Sequence, residues 1–324
     1  MTRVLERLDE LYAIGAHRAG YSPEEDAAHE VAARWMENAG LVVSRDACGN
    51  LFGTRGAGEV WVGSHLDSVP TAGRFDGALG VVAGIEVAAR LPDAELAVVA
   101  FRAEETGPMG SQFVERRPRA YVELHIEQGP VLERMGEPLA IVTAIAGQAK
   151  GHLVFEGRAD HAGTTPMDAR EDALVAAARF VLQVEEAARA GGVATVGILE
   201  VHPGASNVVP ERVELLVDAR APTRQELDAL VERIGFVPRT LHKPVAMSGP
   251  PLEALRATLP RAPELVSGAG HDAMILAAAG VPSAMLFVRS LNGGISHHPD
   301  ELSSAEDVAL AVDALTETLS RIAR

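Results

Sequence analysis

Short stretches that are apolar almost throughout set the tightest limit on how this chain folds. Residues 60–63, 96–101 and 281–288 are of this kind. A strand sends alternate side chains to opposite faces, so such a run is stable only where both faces are covered. Residues 121–126 instead alternate apolar and polar side chains. Between these runs lie helical segments. Ser22-Pro23-Glu24-Glu25 places an N-cap serine before a proline at the first helical position, predicting a helix from there to about Gly40. Residues 77–91 read as a helix of small side chains. Strands alternating with helices in this way predict an α/β layer structure: a mostly parallel mixed sheet with helices on both faces.

The character changes near residue 148. Strands over 152–156, 193–202 and 213–220, with helices over 170–190 and 224–234, give a β-α-β-β-α order, ferredoxin-like in pattern. Residues 148–250 are therefore expected to be an inserted α+β domain, which splits the first domain into 1–147 and 251–324. Ser303 with Glu306 predicts a capping box for a last helix.

Charge and cysteine content narrow the function. The 324 residues carry 45 acids and 29 bases, a net charge of −16, which repels phosphate backbones and anionic lipid. Neither a nucleic acid nor a membrane is an expected partner. The start of the chain reads as an amphipathic helix without a signal peptide's basic and apolar regions, and no run approaches a membrane span, so a cytoplasmic protein is expected. Cys48 is the only cysteine, which excludes a disulfide framework and a cysteine zinc site. It is expected to be a small buried residue. His17, His29 and His242 have no context beyond the surface.

Other histidines gather with acids where strands end. His65 and Asp67 follow the run at 60–63, and Asp76 sits in the turn GRFDGALG. Glu104 and Glu105 follow 96–101, His125 lies within 121–126, and His297 follows 281–288. Open α/β sheets bind ligands at that edge. Three imidazoles and two carboxylates hold two divalent ions if one carboxylate bridges, leaving an open position for water. Without thiolates this donor set suits zinc first, and manganese, cobalt or nickel as well. Asp67 is placed to orient His65 from behind. Of the adjacent pair Glu104-Glu105, one can ligate while the other is left free as a base. A serine hydrolase is disfavoured by the lack of G-x-S-x-G, and a dinucleotide site by the lack of G-x-G-x-x-G. A non-catalytic interaction protein would have no need of so many buried like charges.

In order, SHLDSVPTAGRFDGALGV, FRAEE, ELHIEQGPVLE, DHAGTTPMDAR, SNVVP, SGAGHDA and GGISHHPDE resemble the hydantoinase/carbamoylase branch of the M20 metallo-amidases. That branch includes N-carbamoyl-L-amino acid hydrolases, allantoate amidohydrolases and β-ureidopropionases. The resemblance implies a zinc-exopeptidase-like catalytic domain with a lid domain that also dimerises. It implies that His65 and His125 hold one metal, that Glu105 and His297 hold the other, that Asp76 bridges, and that Glu104 is the base. It further implies that His161 approaches the oxyanion from the neighbouring subunit. Asn207 and Arg220 would bind a substrate carboxylate, Gln128 the ureido or amide group, and Lys150 stands where the family often has a substrate-binding arginine. His271 is expected to line the pocket wall. A cis peptide after Asp76 is expected too. Aminoacylases and dipeptidases share the HxD and EE elements and are the nearest alternative, against which HIEQG and HAGTTPM argue. Only 19 residues separate Glu105 from His125, far fewer than the family pattern, so helices flanking the site are expected to be missing. The stretch between Arg220 and SGAGHDA is also abbreviated.

Overall fold

A computed structural model describes residues 2–323. The chain forms two compact units, Met1–Ile145 with Ala246–Arg324, and Ala146–Val245.

The first unit opens with α1 (Thr2–Ile14), α2 (Pro23–Asn38), β1 (Val42–Arg45) and β2 (Leu51–Thr54). Next come β3 (Val60–His65), α3 (Ala78–Arg90), β4 (Leu96–Phe101), α4 (Met109–Gln112), β5 (Ala120–Ile126), α5 (Val131–Met135) and β6 (Leu139–Ile145). The second unit holds β7 (Gly147–Glu156), α6 (Ala173–Arg189), β8 (Val193–His202), β9 (Arg212–Ala221), α7 (Arg224–Ile234) and β10 (Thr240–His242). The chain ends with β11 (Val245–Ala246), α8 (Pro250–Thr258), β12 (Glu264–Ser267), α9 (Asp272–Ala278), β13 (Ser283–Val288) and α10 (Ala305–Ile322).

The large sheet is mixed, in the order β1-β2-β4-β3-β5-β13-β6-β11, with β12 also paired to β6. Its centre, β4-β3-β5-β13, is parallel, whereas β1-β2, β2-β4 and β13-β6 pair antiparallel. Every residue of β3, β4, β5 and β13 is buried, as their composition requires. Because these four run the same way, the residues that follow them emerge at one edge of the sheet. Helix α3 packs against β3, β4 and β5. It lies close because Gly80 has no side chain: a Cβ there would meet the Leu124 carbonyl oxygen at 2.5 Å.

Local signals explain the helix starts. Ser22 caps α2 by accepting the Glu25 N–H, with Pro23 at the first position. Thr223 and Glu226 close a capping box on α7, and Gly235 ends it in the left-handed conformation. The last helix begins one residue later than its sequence suggests: Ser304, not Ser303, is the cap and accepts from Asp307. The Ser303 hydroxyl donates instead to the Arg289 carbonyl.

In the second unit four antiparallel strands lie in the order β10-β7-β9-β8. Helices α6 and α7 cover one face, packing Phe180, Leu227, Leu230 and Ile234 on Ala149, Val213, Leu215, Val217 and Ala219. The alternate residues Gln148, Lys150, Asp218 and Arg220 share the other face. Strand β8 is an outer strand of ten residues. Among the described residues no helix is long and apolar enough to cross a membrane.

Candidate metal centre

The carboxyl edge of the parallel strands carries the site. His65 is the last residue of β3, His125 lies near the end of β5, and Glu104 and Glu105 lie in the turn that follows β4, after Arg102 and Ala103. Asp76 stands in the turn before α3, and His297 in the loop between β13 and α10. The donors fall into two groups that share Asp76. One is His65, Asp76 and His125, and the other is Asp76, Glu105 and His297; within each, the candidate ligand atoms lie within 4.8 Å of one another. Asp76 Oδ1 is 3.2 Å from His125 Nε2 and 3.7 Å from His65 Nε2, and Oδ2 is 3.5 Å from His297 Nε2. His297 Nε2 is 3.7 Å from Glu105 Oε2. Glu104 Oε2 is 3.8 Å from His65 Nε2.

Buried carboxylates hold the turn that carries Glu104 and Glu105. The Glu104 and Glu105 amides donate to the two oxygens of Asp67, each at 3.0 Å, and the Ala103 amide donates to Glu25 at 3.0 Å. Asp67 also lies 3.3 Å from His65 Nδ1. It therefore ties one imidazole to the paired glutamates. Ala103, Gln128 and His297 all have positive φ, at 52°, 56° and 56°. Such a conformation costs an L-residue roughly 1–2 kcal/mol, and three of them around one cluster mark a functional constraint.

Charge is balanced within the cluster. Burial alone would raise the Asp76 carboxyl, but the imidazoles of His125, His297 and His65 outweigh it and hold the group well below its ordinary range. Burial disfavours the His65 imidazolium, yet the Asp67 hydrogen bond and the Glu104 charge lift it well above the usual value. Glu104 is raised well above the carboxylate range by burial, against the pull of His65. Burial and the Asp76 charge raise Glu105.

The donor set fits divalent cations. Glu105 Oε1 and Gln128 Oε1 are buried without hydrogen-bond partners, a loss of roughly 1–3 kcal/mol each unless something else satisfies them. Imidazole and carboxylate donors without thiolate are what zinc, manganese or cobalt accept. A third cluster, Glu123, His125 and His271, reads differently. Ser64 and the Ala273 amide already donate to Glu123, and His271 Nε2 pairs with the Ser267 hydroxyl. His271 is buried at the N-cap of α9, its ring 4.5 Å from that of His125.

Four of the expected site residues belong to the second unit. His161 forms a bridge with Val208, and the Ala162 amide donates to Asn207, so His161 and Asn207 are neighbours there. Both are exposed, as is Lys150. Arg220 is half-buried and pairs with Asp218 at 3.1 Å. Gln128 lies in the first unit, donating from Nε2 to Asp76 Oδ2 at 2.8 Å.

Three expectations are corrected. The Asp76–Gly77 bond is trans, the one cis bond among the described residues being His202–Pro203. The chain makes its sharp reversal here with a positive-φ γ-turn instead: Gly77 has φ 63° and ψ −55°, and the Ala78 amide donates to the Asp76 carbonyl at 2.6 Å. His29 is buried, not a surface residue. Cys48 is half-buried rather than enclosed.

Several buried acids that shape the site escape sequence reading. Glu25, Glu123, Asp272 and Glu301 are all buried. Burial and the Glu123 charge push Asp272 up to about 8. The only sequence signal for Glu123 and Asp272 was their place beside His125 and His271.

Imidazole and carboxylate donors grouped around one aspartate, at the carboxyl edge of a parallel sheet centre, define the class as one built for metal-assisted hydrolysis. The chain belongs to peptidase family M20/M25/M40, whose model matches residues 61–321. It is 36% identical over 408 aligned positions to the N-carbamoyl-L-amino acid amidohydrolase of Geobacillus stearothermophilus, covering 99% of this chain and 98% of that protein. It is 32% identical over 365 positions to the allantoate amidohydrolase of Bacillus subtilis, covering 89% and 88%. Among solved structures, a hydantoinase/carbamoylase-family amidase from Burkholderia multivorans matches with TM-score 0.89 at 31% identity, over 100% of this chain and 98% of that one. The branch read from the motifs therefore stands. With 408 aligned positions against 324 residues, at least 84 positions of the Geobacillus relative have no counterpart here. The stretch between Glu105 and His125 holds the four-residue α4 and the first residues of β5.

Proposed function

We propose that the chain is a dinuclear metal-dependent amidohydrolase that cleaves a ureido or related linear C–N bond. The substrate class is an N-carbamoyl-L-amino acid or an allantoate-like ureide bearing a carboxylate. The observation that carries this reading is the pair of donor groups sharing Asp76, with Glu104 beside them and free of other ligand duties.

His65 and His125 would hold one ion, Glu105 and His297 the other, and Asp76 both; zinc is the first choice. Bound there, the ions would supply Lewis-acid polarisation of the scissile carbonyl and a more acidic water. Glu104 takes the proton of the attacking water as its oxygen bonds to the carbonyl carbon. It then gives that proton to the leaving nitrogen as the C–N bond breaks. A carboxyl raised by burial suits such a carrier, because it binds and releases a proton more evenly than an ordinary glutamate. Asp67 keeps His65 and the glutamate pair in register. An N-carbamoyl amino acid would give the amino acid, ammonia and carbon dioxide.

The second unit is read as a ferredoxin-like lid, which also joins two copies of the chain in a homodimer. His161 would stabilise the oxyanion of the partner copy's site, and Asn207 and Arg220 would bind the substrate carboxylate, with Lys150 on the same sheet face as Arg220. Gln128 would contact the ureido group. A cytoplasmic setting is consistent with this chemistry.

Ammonia release from N-carbamoyl-L-amino acids, allantoate and N-acetyl amino acids, measured after metal reconstitution, tests the proposal. Turnover of a carbamoyl or allantoate substrate is the expected result. Turnover confined to N-acetyl amino acids or dipeptides would overturn it.

A further inference from the structure

Glu301 lies at the end of the loop that carries His297, 225 residues from Asp76, yet the two are joined through the backbone. Its buried carboxylate accepts the Phe75 and Asp76 amides on Oε1, at 2.8 and 3.1 Å. Its other oxygen accepts the Ser296 hydroxyl at 3.0 Å, and that hydroxyl also lies 3.2 Å from Asp76 Oδ2. Ser296 immediately precedes His297, whose φ of 56° needs an outside constraint. The base of the same loop is closed by the Leu291 amide on the Leu302 carbonyl and by Asn292 Nδ2 on the Asp300 carbonyl.

A carboxylate placed beside Asp76 is unfavourable by charge. Burial and the Asp76 carboxylate both raise its pKa, so packing alone does not explain an acid here. Its geometry does. One side chain fixes the amides of the Asp76 turn and, through one hydroxyl, the residue next to His297.

We propose that Glu301 is a positioning residue that sets the Asp76 turn and the His297 loop at a fixed separation, with Ser296 as the link between them. The inference rests on the metal-centre reading above. It also has a direction. Ser296 touches Oδ2, the oxygen facing His297, whereas Oδ1 faces His65 and His125. Loss of the link therefore weakens the Asp76–Glu105–His297 group more than the His65–Asp76–His125 group.

Cobalt(II) titration of the chelator-stripped full chain, followed by calorimetry and visible absorption, tests this alongside the melting temperature of the metal-free protein. Wild type should take up two equivalents. Glu301→Ala should bind the second equivalent about 10- to 100-fold more weakly, keep the first, and show altered absorption of the second alone. Glu301→Gln should keep both, because its amide oxygen still accepts the two N–H groups and its NH2 can donate to Ser296. Ser296→Ala should weaken the second equivalent in the same direction, and decides the matter if Glu301→Ala folds poorly. Wild-type affinity for both equivalents in Glu301→Ala, equal weakening of both, or an unchanged second equivalent in Ser296→Ala would overturn the proposal. Failure of the wild type to take up two equivalents would instead overturn the metal-centre reading itself.

Discussion

At Asp76 burial and charge pull in opposite directions, and the neighbours decide. Desolvation alone would protonate a fully enclosed carboxyl, but His125, His297 and His65 keep this one ionised. Glu104 has only one imidazole against the same burial and goes the other way. Two acids that both approach His65 Nε2, at 3.7 and 3.8 Å, are thereby pushed in opposite directions. Glu104→Gln keeps the size and removes the proton acceptor, so it should retain both metals while turnover falls about 10²- to 10⁴-fold. Glu105→Ala should instead lose one metal equivalent. Metal content and rate measured on both variants check this, and full activity in Glu104→Gln would exclude it as the base. A second prediction concerns Gly77. A Cβ there would stand 2.3 Å from the His65 ring, and its φ of 63° costs any other residue roughly 1–2 kcal/mol. Gly77→Ala should therefore displace His65 and lower metal affinity, seen in the same titration. At this scale the donor residues were legible through the motifs that carry them: His65 and His125 stand at strand ends, whereas Asp76 and His297 lie in loops. Glu25 and Glu301 were not, since they act on amides 78 and 225 residues away, and no local pattern marks such a pairing.

The elements were legible where composition and period agree. Residues 96–101 and 224–234 read directly from the sequence as β4 and α7. The four residues of β1 are mostly exposed and carry no burial signal, and β10 to β12 are too short for one. Helix α2 shows what periodicity alone leaves open. Its Glu25 and His29 are one turn apart on the same face, and both are buried. Glu25 turns to the Tyr21 and Ala103 amides and to Arg102, so it ties the helix to the turn before Glu104. His29 is left with neither ring nitrogen hydrogen-bonded. Burial, with Arg102 and Arg45 nearby, holds its pKa well below the ordinary value. The unfolded chain binds that proton near pH 6.5, so acid favours unfolding here. The contribution of His29 is full above about pH 6.5 and is lost progressively as pH falls below it. Urea unfolding at pH 8 and pH 5.5 should show a larger acid loss for wild type than for His29→Leu. Equal losses would mean that His29 is not held neutral.

On the scale of the whole molecule, the chain matches 98% of the Geobacillus relative's span while lacking at least 84 of its positions. Strands β3, β4, β5 and β13 are all present despite that shortening; they form the buried centre of the sheet, where a deletion would remove the core itself. In the brief segment after Glu105, Met109 and Phe113 are exposed. The second unit raises a separate question. Strand β8 is a ten-residue outer strand with Val193, Ile198 and Leu199 exposed, and a long apolar edge is a liability unless something pairs with it. Pairing two copies about a two-fold axis removes both edges at once and gives a closed dimer. On the proposed function, that dimer supplies His161 to the neighbouring copy's site. Light scattering at assay concentration should then report a dimer. Glu104→Gln and His161→Ala chains should each be inactive alone. Mixed with subunit exchange, half of the dimers would pair one chain of each kind, and one of their two sites would have both groups intact. About a quarter of wild-type activity should return. No recovery after verified exchange would place His161 in its own chain's site or outside the chemistry, and a fully active monomer would remove the dimer from the mechanism.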